Sequence, residues 1–478
     1  MAVDNWFQTW HPPDSIFQQS PFFDTLGNEN FTVKQDRIRV KTKRPESFLP
    51  LLLSLGLMQP SITEKKINQP LELTGPFKTW YRWKTLDLDY PSDEARSRAV
   101  AYDEFIPENN LPLGLETYGD RIFLSMPKWK PGVPVTLATV PRLAVEESPK
   151  LVPYPNWDWH SEKTCDVITS VFRMQADHCG RLWVLDSGTI EVTIDAKQHC
   201  PPKLLIFDLR TDELIEKYVF PDEFIKEDGL YSNIVLDFRD GDCDNIYAYM
   251  TDVWRYGIVV FNLETKDAWR VTHPYFYPDP FAATYRLHHL EFHWMDGIFG
   301  AALSPARHPF DDRTLYFHPM SSFREFYVKT SVLQDEHRWQ EDKHQFKVFG
   351  QSRGAKGHVS GSVMDRNGVL FYNLVTKDTI GCWNSRKPYK RENLGVVATS
   401  RQTLVFPNDI RLDQEERQSI WIVTNRLPYY LIEGLDTSRI NFRVMSAYTD
   451  EAVRGTICDT DINRNDTYVP FEGENDCY

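Results

Sequence analysis

The sequence predicts an all-β protein that folds as a single-domain, six-bladed β-propeller. Three observations favour this fold class. One pattern, an acidic residue followed by a polar turn and an apolar-aromatic strand, recurs along most of the chain. Each copy lies between two further apolar segments, and few helix signals separate the copies. Units of three to four short strands cannot bury both sheet faces alone, so we expect them to stack radially as propeller blades.

The clearest copy of the pattern is HCGRLWVLDSG, from His178 to Gly188. Two later copies begin at Asp365 and Asp413. The central aromatic residues of the six copies are Phe123, Trp183, Tyr247, Tyr316, Phe371 and Trp421, at intervals of 50–69 residues. Two stacked sheets would also contain many short strands, but they would not repeat one pattern six times. The repeats therefore favour a propeller over a β-sandwich.

The propeller is expected to occupy residues 79–460, with segments of other kinds on either side. Residues 1–45 show no hydrophobic period, and we interpret them as a disordered or spurious extension. Residues 46–62 contain an apolar run after a basic stretch, which has the size of a signal-peptide core; an ordinary buried segment is the alternative. Residues 63–78 are predicted to be a linker, and residues 461–478 a C-terminal tail.

Two elements are predicted between the linker and the repeats. Apolar and polar residues alternate from Trp80 to Tyr90, which is typical of a strand. Ser92 then precedes two acidic residues and is a candidate N-cap. We therefore expect a short helix from Glu94 to Ala101.

The composition limits the class of partner. The chain has 478 residues and a net charge of −14 at pH 7, and its 41% of hydrophobic residues can form a large core. An acidic surface does not suit the phosphates of nucleic acids, whereas small cations and amines are compatible with it. No run reaches the ~20 apolar residues of a membrane-spanning helix. The predicted partner is a small molecule, with neither nucleic acid nor membrane.

The chain contains seven scattered cysteines, and none forms a CxxC pair or has a histidine at zinc-finger spacing. They are Cys165, Cys179, Cys200, Cys243, Cys382, Cys458 and Cys477. The sequence therefore predicts no metal site and no cofactor, but a secreted protein with about three disulfides and one cysteine left over. Six cysteines allow about fifteen pairings, so spacing does not choose among them. Asn465 lies in a glycosylation sequon, which is compatible with secretion.

In a propeller the inner strands line the central channel, and loops converge at its mouth. Polar and aromatic residues gather where the predicted inner strands begin and the second strands end. The candidate ligand residues are Asn233, Asp252, Trp254, Asn373, Phe406, Asn408 and Asn425. Carboxylates pair with amines, amides orient hydroxyls and rings stack, so this set suits a small aromatic cation. Turn formation is the alternative role for each Asn or Asp.

Several long motifs resemble the insect Yellow/major royal jelly protein family. They include CGRLWVLDSG (179–188), WRVTHPYFYPDP (269–280), DGIFGAALSP (296–305), GVLFYNLV (368–375) and FPNDI (406–410). The resemblance covers the chain from about Thr79 to Cys458 and implies a secreted six-bladed propeller. It also implies disulfides Cys179–Cys200, Cys165–Cys243 and Cys382–Cys458, with Cys477 unpaired. Asn425 matches an Asn of amine-binding relatives, and Leu427 stands where those relatives have an aromatic ring.

The resemblance implies a protein that binds or acts on catechol- or indole-type small molecules in melanin pigmentation and the cuticle. One hypothesis is a binding protein for a biogenic amine, and another is an enzyme that tautomerises dopachrome, with His358 or Asp409 as the base. A third is a calcium-dependent lactonase-like enzyme, with Asn233, Asn408 and Asp409 around an axial metal. A secreted structural or signalling propeller with a water-filled channel is the fourth. The sequence leaves enzymatic activity open.

Overall fold

The computed structural model describes residues 70–460, apart from residues 145, 162–163, 227, 240–241, 307, 309–310 and 342. The predicted extension, the candidate signal segment, the tail with Asn465 and Cys477, and most of the linker lie outside the described residues. Within the described part, no helix has the length and apolar character needed to cross a membrane.

Six antiparallel sheets form the blades, which confirms the predicted six-bladed β-propeller. Strands β1 (Glu72–Thr74) and β2 (Phe77–Trp83) and helix α1 (Asp93–Ala101) precede blade 1. Blade 1 contains β3 (Gly114–Tyr118), β4 (Arg121–Ser125), β5 (Leu137–Pro141) and β6 (Val152–Pro153). Blade 2 contains β7 (Val171–Ala176) and β8 (Arg181–Asp186), then a small hairpin of β9 (Thr189–Ile190) and β10 (Lys197–Gln198), then β11 (Lys203–Asp208) and β12 (Leu214–Val219). Blade 3 contains β13 (Tyr231–Arg239), β14 (Asp242–Asp252), β15 (Gly257–Asn262) and β16 (Ala268–Thr272).

A separate hairpin of β17 (Thr284–Leu287) and β18 (Leu290–His293) connects blades 3 and 4. Blade 4 contains β19 (Ile298–Leu303), β20 (Thr314–Pro319) and β21 (Glu325–Lys329), followed by α2 (Thr330–Leu333), α3 (Arg338–Glu341) and β22 (Lys347–Phe349). Blade 5 contains β23 (Val359–Met364), β24 (Val369–Leu374), β25 (Thr379–Asn384) and β26 (Leu394–Thr399). Blade 6 contains β27 (Pro407–Leu412), β28 (Ser419–Thr424) and β29 (Phe442–Tyr448), with α4 (Leu427–Ile432) before β29 and α5 (Thr449–Val453) after it.

The blades form a closed ring around a central channel. Each inner strand contacts the inner strands of the two neighbouring blades, and β27 contacts β3 to complete the circle. The N-terminal strand β2 pairs with β29 and becomes the fourth strand of blade 6, with Lys78 opposite Ser446 and Trp83 opposite Phe442. Separating these strands would leave backbone N–H and C=O groups without partners, so the joint holds the first and last blades together.

The structure corrects two predictions for this N-terminal segment. Strand β2 spans Phe77–Trp83 rather than Trp80 to Tyr90, and the predicted linker over residues 63–78 includes β1 and the start of β2. Every second residue of β2 is fully or almost fully buried, as expected for a strand packed on one face. Its partner β29 lies more than 350 residues away in sequence, so no local pattern reveals the pairing.

Helix α1 confirms the predicted short helix, with one additional residue at its start. The Ser92 hydroxyl accepts a hydrogen bond from the backbone N–H of Ala95, at 3.2 Å. Asp93 and Glu94 occupy the first turn, where negative charge interacts favourably with the helix dipole. The N-cap therefore acts as the sequence predicts.

The acidic residue of the recurring pattern closes the hairpin between the first two strands of a blade. In blade 2, the carboxylate of Asp177 accepts hydrogen bonds from two backbone N–H groups of the turn and from the indole N–H of Trp183, at 2.8–3.0 Å. In blade 6, Asp413 accepts the indole N–H of Trp421 at 3.1 Å. In blades 2 and 6 the acidic residue of the pattern therefore satisfies the turn and binds the indole of a buried tryptophan.

Three disulfides are present in the described residues, and two of them differ from the predicted pairs. The structure confirms Cys382–Cys458. It contains Cys165–Cys200 and Cys179–Cys243 instead of the predicted Cys179–Cys200 and Cys165–Cys243.

The length of β8 explains the difference. Cys179 lies in the turn before β8, and Cys200 lies beside Gly188, just beyond the far end of that strand. Six residues of strand separate these ends by about 20 Å, whereas a disulfide joins Cα atoms less than ~7 Å apart. Cys243 lies in the equivalent hairpin of blade 3, so its bond with Cys179 staples two neighbouring blades.

Candidate functional site

The predicted ligand residues gather at the end of the channel where the inner strands begin, which we call the upper end. Because neighbouring strands are antiparallel, the second strands of the blades also end there. The following residues all lie within three residues of that end of a strand: Asn233, Asp252, Trp254, His358, Asn373, Phe406, Asn408, Asp409 and Asn425. The structure thus brings the predicted set to one end of the propeller, although their side chains have different roles.

Arg173 crosses the channel just below the upper end. From β7 in blade 2, its Nη2 donates to the carbonyl oxygens of Ser360 at 3.1 Å and Asn408 at 2.7 Å, in blades 5 and 6. Its Nε lies 3.3 Å from Oδ1 of Asp409. Its guanidinium also lies over the ring of Phe299, 4.9 Å from the centroid. Blades 2 and 5 lie on opposite sides of the ring, so this side chain occupies the channel axis.

Arg411 crosses the channel beside Arg173. Its Nη2 donates to Oδ1 of Asn233 at 3.2 Å, and its Nε lies 3.4 Å from Oδ2 of Asp409. Glu116 is fully enclosed in the same network, and burial raises its pKa to about 7 against the opposing effect of Arg411. Four buried ionisable side chains and one amide form a plug, which we define as Glu116, Arg173, Asn233, Asp409 and Arg411. Paired buried charges of this kind favour one arrangement of the inner strands.

The plug changes the interpretation of two predicted residues. Asp409 binds two guanidinium groups and the backbone N–H of Leu115, so its carboxylate is not directed at a ligand. Asn233 accepts from Arg411 and donates to the carbonyl of Phe299, which does not favour a ligand contact. An axial calcium ion does not fit this arrangement, because two guanidinium groups hold the oxygens that it would need.

His358 is buried immediately before the inner strand β23. Its Nε2 donates to the carbonyl oxygen of Ala282 at 2.8 Å, and its Nδ1 lies 3.3 Å from the hydroxyl oxygen of Thr376. Burial lowers its pKa to about 4, so the imidazole is neutral at pH 7. The ring stacks on Tyr285 with 3.9 Å between centroids. These contacts favour a supporting role under Tyr285 rather than the predicted role as a base.

Asp252 and Asn425 fix loops at the upper end. Asp252 accepts two backbone N–H groups at 3.0 Å and pairs with Arg270 at 2.8 Å. The Asn425 amide donates to the carbonyl of Pro112 at 2.9 Å and accepts the backbone N–H of Leu427 at 3.1 Å. Both side chains are satisfied by the protein, which matches the turn-forming alternative stated for them.

The hairpin β17–β18 forms an aromatic roof over the upper end. Tyr285 of β17 stacks on Phe292 of β18, with 5.3 Å between ring centroids. Trp294 follows β18 and contacts both Phe292, at 4.5 Å, and Phe406 of blade 6, at 6.2 Å. Phe406 is fully buried and has a φ of 51°, a left-handed backbone conformation that is unusual for a bulky residue. The predicted Phe406 therefore lies in the aromatic site.

The tip of this hairpin is latched to blades 5 and 6 by a histidine that the sequence did not single out as functional. His288 Nε2 lies 2.7 Å from Oδ2 of Asp378, and its Nδ1 lies 2.8 Å from the hydroxyl of Tyr429. His288 and Asp378 have φ values of 54° and 50°, conformations that persist only where surrounding contacts impose them. We call this set the latch, defined as His288, Asp378 and Tyr429.

Asp296 is a second group that sequence reasoning missed, because Asp296-Gly297 reads as a simple turn. It lies between the hairpin and the inner strand β19. The backbone N–H of Gly297 donates to the carbonyl oxygen of Val253 at 2.9 Å, which places the predicted residue Trp254 beside Asp296. Burial raises the pKa of Asp296 to about 6, and a hydrogen bond from the Trp254 side chain opposes this rise. Trp254 and Trp294 are both partly exposed beside the aromatic core. The upper end therefore presents a carboxylate among accessible indole rings.

Several buried polar side chains near the upper end carry atoms without a hydrogen-bond partner among the described residues, and three of them are Asn373, Asn408 and Trp129. Both amide atoms of Asn373 are unpaired, as are Nδ2 of Asn408 and the indole N–H of Trp129. All three residues are more than 90% buried. Buried polar atoms are rarely left unpaired, because each costs about 1–3 kcal/mol. These groups therefore offer donors and an acceptor to a bound molecule or to water.

Comparison with known proteins identifies the family. The family model described as "Major royal jelly protein" matches residues 169–458, which is more than half of the chain. The chain belongs to the major royal jelly protein family. This membership confirms the resemblance seen in the sequence motifs and covers blades 2 to 6, including the plug residues Arg173 and Arg411.

Curated relatives of this royal jelly family member match most of its length. It is 38% identical over 427 residues to a Drosophila melanogaster protein named "Dopaminechrome tautomerase", covering 87% of this chain and 92% of that protein. It is 36% identical over 424 residues to "Protein yellow" of Drosophila subobscura, and the alignment covers 88% of this chain and 72% of that protein. Among solved structures, a luciferin-regenerating enzyme aligns with a TM-score of 0.43 at 11% identity, covering 74% of this chain and 95% of that one.

Proposed function

We propose that the protein is an enzyme that tautomerises dopaminechrome-type indoline quinones at the upper end of the propeller. The observation that carries this proposal is the combination of an aromatic site with a carboxylate and unpaired buried polar groups, directly above a channel that two arginines occupy. A flat bicyclic quinone offers ring faces to Trp254 and Trp294, and carbonyl and N–H groups to unpaired side chains such as Asn373. The similarity to a protein named for this reaction supports the choice of substrate.

The chemistry fits the groups that the site offers. In the conversion of an indoline quinone to a dihydroxyindole, two protons leave saturated ring carbons and two arrive at the quinone oxygens. Atoms and electrons are conserved within the substrate, so the reaction requires no oxidant and no redox cofactor. The protein has to bind the ring, accept a proton and favour charge on the oxygens. The upper end offers a carboxylate for the first proton and amide groups for the oxygens.

Binding of an intact catecholamine or indoleamine is a second candidate function. Asp296 favours it, because a carboxylate beside indole rings suits an ammonium group attached to an aromatic ring. Calorimetry with dopamine and serotonin tests this candidate. A signal with either amine, without acceleration of dopaminechrome decay, would replace the enzymatic proposal with a binding function.

We further propose that the protein acts outside the cell, in pigmentation or the cuticle, and that Asn465 carries a glycan. Three disulfides support an oxidising compartment. The relatives named "Protein yellow" support a role connected with pigment. Collecting the protein from the medium of insect cells and sequencing its mature N-terminus tests the compartment.

The enzymatic proposal is tested by following the visible absorbance of freshly prepared dopaminechrome with and without the purified protein. We expect decay to accelerate in proportion to protein concentration, with a dihydroxyindole as the product. Dopachrome, which carries an additional carboxylate, should react more slowly because it would approach Asp296 with like charge. Unchanged decay in the presence of protein with a native circular dichroism spectrum would reject the proposal.

A further inference from the structure

Asp296 is held in a fixed position at the junction of the hairpin and blade 4. Its backbone N–H donates to the hydroxyl oxygen of Ser321 at 3.1 Å, and its carbonyl oxygen accepts the N–H of Ser321 at 2.9 Å. The same hydroxyl donates to the carbonyl of Trp294 at 2.7 Å. Ser321 itself is fully buried. One serine therefore fixes both the acidic residue and the adjacent indole-bearing residue.

The side chain of Asp296 differs from the other carboxylates at the upper end. Asp252 pairs with Arg270, and Asp409 pairs with Arg173, whereas Asp296 makes no ion pair with any described residue. Trp254 is the neighbouring side chain that opposes the rise in its pKa. A neutral hydrogen-bond donor orients a carboxylate while leaving it able to accept a proton.

We propose that Asp296 is the base that removes a ring proton from the indoline quinone, and that Trp254 is the positioning residue that aims its carboxylate. This assignment rests on the proposed function and names the chemistry of the same site. The carboxylate forms an O–H bond with the proton of a saturated ring carbon. The electron pair of the broken C–H bond moves into the ring system toward a quinone oxygen, which is then protonated. The carboxyl group passes its proton to an oxygen or to water and is ready for the second transfer.

The raised pKa of Asp296 suits the role of a base. Burial raises its pKa to about 6, and the Trp254 hydrogen bond opposes that rise. A base with a pKa slightly below the working pH is ionised and is a stronger proton acceptor than an ordinary carboxylate. The other candidates are less suitable as bases. Two arginines contact the carboxylate oxygens of Asp409, and burial lowers the pKa of His358 to about 4, which makes its imidazole a weaker proton acceptor than Asp296.

The decisive experiment compares the wild-type protein with D296N, D296E and W254F in the dopaminechrome assay, over a range of pH. The substitution D296N keeps the size of the side chain and an oxygen acceptor for Trp254 but removes the base. We expect its kcat to fall at least ~100-fold, as is typical when a general base is removed, while D296E keeps part of the activity. E291Q is the matched control, because Glu291 is an exposed carboxylate on the same hairpin, paired with Arg286.

The pH profile separates a base from a merely structural residue. For the wild type, kcat/KM should rise with pH through a pKa near 6. In W254F the indole donor is lost, so the rise should move to higher pH while the protein remains folded. This shift needs no variant at position 296 and keeps the proposal testable if D296N fails to fold.

The outcomes distinguish the inference from the proposed function. If the wild type does not accelerate decay, the proposed function fails. If the wild type is active and D296N retains its kcat, the assignment of Asp296 is overturned and the function stands. A profile in W254F identical to that of the wild type would overturn the role of Trp254. Loss of activity in E291Q as large as in D296N would show that the effect does not depend on Asp296.

Discussion

Arg173 and Asp409 meet across the propeller axis, with 3.3 Å between the guanidinium Nε and the carboxylate Oδ1. Both side chains are almost completely buried, and they come from blades 2 and 6. The ion pair therefore connects inner strands that are not neighbours in the ring. Because the two side chains fill the channel axis, the candidate site lies above the plug and not within an open channel.

Breaking this pair should destabilise the propeller strongly. The substitution R173L leaves Asp409 buried with one fewer cation, and we expect a loss of about 3–5 kcal/mol in the free energy of unfolding. The double variant R173L/D409L should lose less than the sum of the two single variants, because it leaves neither charge unpaired. Urea denaturation of the four proteins measures this coupling. Additive losses would show that the two residues do not interact.

Glu116 should make stability depend on pH. Its pKa is about 7 in the folded protein against 4.5 for an ordinary Glu, so the folded state binds the proton more tightly. The resulting stabilisation is fully present below pH 4.5 and is lost as the pH rises to 7, by on the order of 3 kcal/mol. The variant E116Q should not lose stability in this way. Denaturation curves of the wild type and E116Q at pH 5 and pH 8 measure the change in the free energy of unfolding. An equal decrease in both proteins would show that Glu116 is not its source.

The latch should control the mobility of the roof. The substitution H288A removes the contacts with Asp378 and Tyr429, so the hairpin β17–β18 should exchange amide hydrogens faster and KM should rise. H289A is the matched control, because the neighbouring His289 pairs with Glu433 at a largely exposed site. Hydrogen exchange measured by mass spectrometry compares the exchange rates of the hairpin β17–β18 in the two variants. Equal exchange in the two variants would argue against a latch at His288.

The disulfide pairs can be read directly from the protein. Digestion without reduction should release peptides that join Cys165 to Cys200 and Cys179 to Cys243. The variant C382A/C458A should lose about 2–4 kcal/mol of stability, because this bond closes a loop of 76 residues. Recovery of a Cys179–Cys200 peptide from freshly secreted protein would contradict the pairing described above.

Local sequence patterns predicted the blades well, because each blade repeats the same local requirements. Asp177 and Asp413 mark turns whose hydrogen bonds lie within eight residues, and Ser92 caps a helix in the same local way. Contacts between distant segments left no such signal. The pairing of β2 with β29 and the disulfide between Cys179 and Cys243 join parts of the chain that only the ring brings together.

The sequence predicted where the polar and aromatic side chains lie, but not which groups they contact. The polar residues at strand ends do meet at the upper end, yet Asn233 and Asp409 serve the plug. The contact between Arg411 and Asn233 could not be anticipated, because these residues of blades 6 and 3 meet only across the axis. Asp296 was overlooked because burial, which raises its pKa, is a property of the fold and not of the turn sequence.

Removal of a ring proton from an indoline quinone at the upper end can be measured with dopaminechrome that carries deuterium on its saturated ring carbons. The quantity to measure is the rate of its enzymatic conversion. We expect protein-dependent decay with a primary isotope effect in the wild type, and loss of that decay in D296N. A decay rate that is identical with and without the folded protein would show that the protein does not catalyse this reaction.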